Sequence, residues 1–352
     1  MPDLPLPSIR TFGAHLIAGI HRSPSKVGSV WNAHNCIIHG DGCPRSHYKP
    51  DTGTRIVGPD PNEGDQPAAL LTLQGIGVTV RDLGFSGAYP IPTGPLPDDL
   101  PVGLSVKLVS GTGKMHWSHL DFRWLKTGVE IGGDTANGNC DQIRGEQLYF
   151  HDCGTAWHVR HSQAMLFDLS GVEVNNCGVG FYLEQGCNLR AQQVVFLSTP
   201  VGVQNGLDNP SVGSVFDHVA IDANPPGKRM TLFQQPKYGR SNFTFRNVQW
   251  PKGHAADLGQ PVVETNHGAR IVFLDSVLPA VNLVSILDGG TASSNAMPAV
   301  VEFHRCGFWT GWSPTKAFPM TQRLGKFCVL FRDCYDRDTN KPLATFSEVI
   351  AN

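Results

Sequence analysis

Short runs of alternating apolar and polar residues recur along most of the chain. "SHLDFRW" sets Leu120 and Phe122 on one side, and "EQLYFHD" does the same with Leu148 and Phe150. Val172 and Val174 follow, then Val194 and Phe196, Val219 and Ile221, and Val248 and Trp250. The second members of these pairs are 28, 24, 22, 25 and 29 residues apart. Alternation with a period of two marks strands that bury one face. A further apolar residue stands five positions before most pairs, at Met115, Ile143, Phe167, Leu189 and Phe243. After each turn comes another short run, as in Gly128-Val129-Glu130-Ile131, Ala156-Trp157-His158-Val159 and Gly180-Phe181-Tyr182-Leu183. Each unit therefore predicts short strands separated by bends, with no helix long enough to cover a sheet.

A unit of this size made only of strands and bends cannot bury its apolar side alone. Stacking successive turns of chain into a solenoid lets each coil cover its neighbours. "CGTAWHV" from Cys153 and "CGVGFYL" from Cys177 then occupy the same corner of consecutive coils. The runs Ala69 to Gly87 and Gly103 to Gly111 read as earlier coils, with a Pro/Gly-rich excursion over 88–102 between them. Past Trp309 the pattern fades, although Lys326 to Asp336 reads as a last strand. Solenoid ends expose strand edges and core, so they need caps. Ile9, Phe12, Leu16 and Ile20 fall at helical intervals behind Ser8, which predicts a short capping helix or plug. The expected division is a cap over 1–54, coils over 55–309 and a C-terminal cap or tail over 310–352.

Composition narrows the partners. The 352 residues carry a net charge of −2 with 16% charged residues, and no Lys/Arg run points to nucleic acid. No apolar run reaches the ~18 residues of a spanning helix, so no membrane insertion is expected. "MPDLPLPSIR" lacks the basic start and apolar core of a secretory signal. The nine cysteines are an odd, scattered set, better read as buried thiols than as a disulfide framework.

With the coil grammar, "GTRIVGPD" and "GVTVRDLGFSG" resemble the early coils of the pectin lyase-like superfamily. The resemblance covers roughly residues 55 to 309 and implies an all-β fold, a single-stranded right-handed parallel β-helix. It implies little chemistry, because that fold hosts many functions. The motifs of polygalacturonases and pectate lyases are missing, and the adjacent aspartates Asp98 and Asp99 lie in the proline-rich excursion.

Aligning the apolar pairs aligns the outward residues. One column reads His116, Arg144, Asp168, Arg190; the next reads Ser118, Glu146, Ser170, Gln192, Asp217; another reads Asp121, Tyr149, Glu173, Val195. Hydrolysis of a glycosidic bond needs two carboxyl groups, ~5–5.5 Å apart for retention or ~6.5–9.5 Å for inversion. Glu146 with Asp168, or Asp168 with Glu173, are the candidate catalytic pairs, and a lyase would use Arg144 or Arg190 against a uronate carboxylate. His116, Arg144 and Arg190, with Trp309 and Trp312 as stacking platforms, are the candidate glycan contacts. The competing reading is a solvated cross-strand ion pair. No cofactor and no metal are expected; the weak metal candidate is Cys36, His39, Cys43 and His47, whose spacing matches no standard zinc site. Trp157 is expected inward, His158 and His161 outward, and Trp250 in the core.

Three functions fit. The preferred one is a virion protein, such as a phage tailspike, fibre or capsid appendage, made in the host cytoplasm. It would recognise a polysaccharide or host surface glycan, with or without cleavage, and the resemblance to phage spikes implies a homo-oligomer such as a trimer or contact with other virion proteins. The alternatives are a polysaccharide lyase or glycoside hydrolase, secreted if a signal precedes this sequence, and a non-catalytic scaffold or adhesin.

Overall fold

The apolar pairs stack as ladders of identical geometry. In a computed structural model of the chain, Leu120 is the register partner of Leu148, which in turn partners Val172. Phe122, Phe150 and Val174 run alongside, and Met115, Ile143 and Phe167 form the third column. The structure describes residues 4–5, 13–16, 19–23, 28–32, 34–43, 53–58, 65–87, 99–108, 112–132, 138–206, 213–256, 259–287, 297–309, 313, 327–343 and 346–350. They fall into two units, Met1–Gly178 and Val179–Asn352.

Both units are right-handed parallel β-helices, as the sequence predicts. In the first, one sheet runs through Gly19–Arg22, Thr54–Val57, Thr79–Ser86, Thr112–Arg123, Cys140–His151 and Ala164–Asn175, every pairing parallel. Its second sheet runs through Ser29–Asn32, Ala69–Gln74, Val102–Val106, Thr127–Ile131 and Thr155–Arg160. In the second unit the main sheet passes through Leu189–Leu197, Ser214–Ala223, Ser241–Arg246, Ala269–Leu274, Ala299–His304 and Phe327–Arg332. Only its last strand, Phe346–Ile350, pairs antiparallel. The sole helical turn among the described residues is the 3-10 turn Lys252–His254.

Inward aromatics form continuous stacks. Phe85, Phe122 and Phe150 lie with ring centroids 5.0 and 4.9 Å apart, their planes nearly parallel. In the second unit Phe216, Phe245, Phe273, Phe303 and Phe331 do the same at 5.3, 5.2, 5.1 and 4.9 Å. The ring spacing follows the strand spacing of ~4.8 Å, so identical residues on successive coils are in van der Waals contact. Trp157 and Trp250 are buried, as expected.

The repeated "CG" has two causes. Cys153 and Cys177 are buried one above the other, and the Gly178 N–H donates to the Cys153 carbonyl at 3.0 Å. A Cβ on Gly178 would sit 2.7 Å from the Gly154 carbonyl oxygen, and one on Gly154 2.7 Å from that of Lys126. Here the backbones of consecutive coils approach too closely for a side chain. All nine cysteines are free.

One expectation fails. Residues Gly13–Leu16 and Gly19–Arg22 are strands rather than a helix. They pair parallel with Ile37–Gly40 and Thr54–Val57, so β coils reach into the segment read as a cap. Ser8, Ile9 and Phe12 lie outside the described residues.

Candidate functional site

Single residues with left-handed backbone conformation bend the long strands of the first unit. Lys114, Gln142 and Leu166, register neighbours on three coils, have φ of 51, 62 and 62°. Five residues later His119, Gln147 and Gly171 have φ of 52, 54 and 62°. A bulky side chain at positive φ costs about 1–2 kcal/mol, which the stacked coils must supply. Between these corners lies a strip whose outward positions are His116 and the buried Ser118, Arg144 and Glu146, Asp168 and Ser170.

His116, Arg144 and Asp168 are consecutive register partners across this strip. Arg144 and Asp168 are both exposed, and among the described residues they form no ion pair, so the cross-strand salt bridge does not close. An open depression of about 720 Å³ lies over them, lined by Lys114, His116, Gln142, Arg144, Leu166 and Asp168 among others. Glu146 stands beside it, its Oε1 3.7 Å from His116 Nε2. Glu146 is opposite Ser170 while Asp168 is opposite Arg144, so the two carboxylates are diagonal neighbours. With parallel strands ~4.8 Å apart and a rise of ~3.3 Å per residue, their Cα atoms are about 8 Å apart. Leu166, which lines the depression, and its chain neighbour Met165 are exposed apolar side chains.

Glu173 is not part of this strip. The corner at Gly171 turns it onto the next face, where its Oε1 lies 3.8 Å from His151 Nε2. Its column neighbour Asp121, expected on the surface, is completely buried. Arg55 Nη2 donates to Asp121 Oδ2 at 3.1 Å, and Arg123 Nε donates to both carboxylate oxygens at 3.0 and 2.7 Å. His151 Nε2 lies 3.9 Å from Asp121 Oδ1. Burial pulls the Arg55 guanidinium below its usual value, with Asp121 opposing. Sequence reasoning did not single out this cluster; the available signal was Asp121 and Arg123 sharing one face around inward Phe122.

The remaining candidates scatter. Arg190 is exposed in the second unit, within reach of the Gln192 side-chain amide. Trp309 is half-buried, its indole N–H donates to the Trp250 carbonyl at 2.6 Å, and Arg337 and Lys252 stand 5.5 and 5.9 Å from its ring. Trp312 and His47 lie outside the described residues. Cys36 is buried and accepts the Trp31 indole N–H at 2.9 Å, while the His39 ring stacks on His15 at 4.3 Å. Among the described residues no group of three or more His, Cys, Asp and Glu side chains is placed to hold a metal. Both His158 and His161 are half-buried, and His158 Nδ1 lies 3.8 Å from Glu130.

The sequence matches no protein-family model, and no curated protein matches it. Among solved structures, DFA-IIIase from Arthrobacter chlorophenolicus A6 in complex with DFA-III superposes with a TM-score of 0.52 at 12% identity, covering 96% of this chain and 80% of that one. The same enzyme in complex with GF2 gives 0.51 at 12% identity, covering 94% and 79%. The likeness is one of fold. It places the chain among parallel β-helix proteins and leaves its chemistry to be argued from its own side chains.

Proposed function

We propose that this chain binds and hydrolyses a carbohydrate on the strip between the two corners, with Glu146 and Asp168 as its carboxyl pair. The observation that carries this reading is the Arg144–Asp168 pair: opposed in register, exposed, both lining a depression, and with no ion pair between them. A rigid sheet that presents a cation and an anion without letting them neutralise each other offers both to a ligand's hydroxyl groups. Leu166 adds an exposed apolar side chain to the lining, suited to the C–H face of a sugar ring. That a protein of the same fold binds DFA-III supports a saccharide as the ligand.

In the proposed reaction Glu146 protonates the glycosidic oxygen, and His116 beside it returns the proton. Asp168 takes the proton of the attacking water, while Arg144 orients the substrate. No cofactor enters these steps. The virion expectation has no structural observation behind it, so the hydrolase is the reading carried forward.

The test is a panel of neutral and acidic oligosaccharides followed by calorimetry. At least one is expected to bind, and Arg144→Ala to weaken it about tenfold or more, ~1.4 kcal/mol. Binding by no member of the panel, or equal binding by Arg144→Ala, would overturn the proposal.

A further inference from the structure

The cysteines take no part in the strip, yet two are placed for chemistry of their own. In the second unit Asp275, Arg305 and Asp333 bend successive coils at φ of 52, 53 and 54°. The residues that follow them are Ser276, Cys306 and Cys334, and each donates to the carbonyl two residues back. Ser276 Oγ reaches Leu274 O at 2.9 Å, Cys306 Sγ reaches His304 O at 3.4 Å, and Cys334 Sγ reaches Arg332 O at 3.4 Å. The backbone locks these rungs together, Gly307 N–H donating to Ser276 O at 2.8 Å and Tyr335 N–H to Cys306 O at 2.9 Å. Neighbouring strands are ~4.8 Å apart, inside the ~4.4–6.8 Å Cα separation of a disulfide.

Among the described residues Cys334 is the last rung of this ladder. The chain beyond it doubles back, Pro342 bridging antiparallel to Tyr335 and Leu343 N–H donating to the Cys334 carbonyl at 2.8 Å. Terminal rungs of a solenoid open at lower cost than interior ones, which gives a small oxidant access to an otherwise buried thiol. The hydrogen bond from Cys306 holds the Cys334 thiol below its usual value, whereas burial pushes Cys153 up. Burial pushes the partner Cys306 thiol up as well, so Cys334 is the member of its pair placed to form the thiolate.

We propose that Cys306 and Cys334 are a redox-active pair that hydrogen peroxide converts into a disulfide between adjacent coils. The Cys334 thiolate attacks a peroxide oxygen; the S–O bond forms, the O–O bond breaks, and the departing hydroxide takes up a proton as water. The Cys306 sulfur then attacks Sγ of the sulfenic acid. The S–S bond forms, the S–O bond breaks, and the Cys306 proton leaves with the hydroxide as a second water. Two electrons pass from the sulfurs to the peroxide.

The test treats the folded full-length chain with hydrogen peroxide, alkylates the remaining thiols under denaturing conditions and maps the peptides by mass spectrometry. The expected product is a Cys306–Cys334 cross-linked peptide lacking two hydrogens and restored by dithiothreitol, with Cys153 and Cys177 recovered as alkylated thiols. Cys334→Ser, which copies the bond Ser276 already makes two rungs earlier, is expected to abolish it. Oxidation of Cys334 to sulfinic acid without a link, a link to another cysteine, or two intact thiols would overturn the proposal. If Cys334→Ser does not fold, the wild-type map alone decides.

Discussion

Arg55 Nη2 meets Asp121 Oδ2 at 3.1 Å, although the two residues are 66 positions apart in the chain and neither reaches solvent. Arg123 binds the same carboxylate from two positions along its own strand. Taking one partner from a buried ion pair leaves the other charge uncompensated, which typically costs about 3–5 kcal/mol. Asp121→Asn is expected to lower the unfolding free energy by about that much, measured by urea denaturation. A loss within about 0.5 kcal/mol, typical of a surface position, would contradict the burial.

Gly178 lies where two coils touch. A Cβ there would sit 2.7 Å from the Gly154 carbonyl oxygen, a backbone atom with no room to retreat. Gly178→Ala is expected to destabilise by about 1–3 kcal/mol. Gly253→Ala, with nothing within 4 Å of its Cβ position, is the control and should leave the denaturation midpoint nearly unchanged.

Burial, reinforced by Asp141, pushes the Cys140 thiol up to about 12. An unfolded thiol titrates near ~8.5, so the folded value is raised. The stability this thiol contributes is therefore fully present below about 8.5 and is lost as pH rises from there towards the folded value. Cys140→Ala is expected to show a shallower loss of stability between neutral and strongly alkaline pH than the wild type. Identical alkaline slopes would contradict it.

The spacing of the carboxyl pair has a stereochemical consequence. Backbone positions about 8 Å apart let the two carboxyl groups reach the ~6.5–9.5 Å spacing that leaves room for a water between sugar and base, the geometry of inversion. Proton NMR of the first product released from a cleaved substrate is expected to show the inverted anomer, and retention would exclude this pair.

The ladders were legible in the sequence because a parallel coil repeats its inward residues in place, as Leu120, Leu148 and Val172 do. The corners were not. Left-handed residues are usually Gly, Asn or Asp, but here Lys114, His119, Gln142, Gln147 and Leu166 take that role. Without the corner at Gly171, Asp168 and Glu173 read as one face. The N-terminal helix failed because the interval of four between Leu16 and Ile20 fits a helical turn, whereas in the fold it joins two separate strands, Gly13–Leu16 and Gly19–Arg22. The burial of Asp121 depended on Arg55, a contact far along the chain that no local pattern announces.

The most direct measurement is the release of new reducing ends from a saccharide the protein cleaves, comparing wild type with Glu146→Gln and Asp168→Asn. Each substitution keeps side-chain shape and removes the charge, and each is expected to slow release by about 10²-fold or more while the fold persists. Release at the wild-type rate from both variants would contradict the assignment of catalysis to this strip.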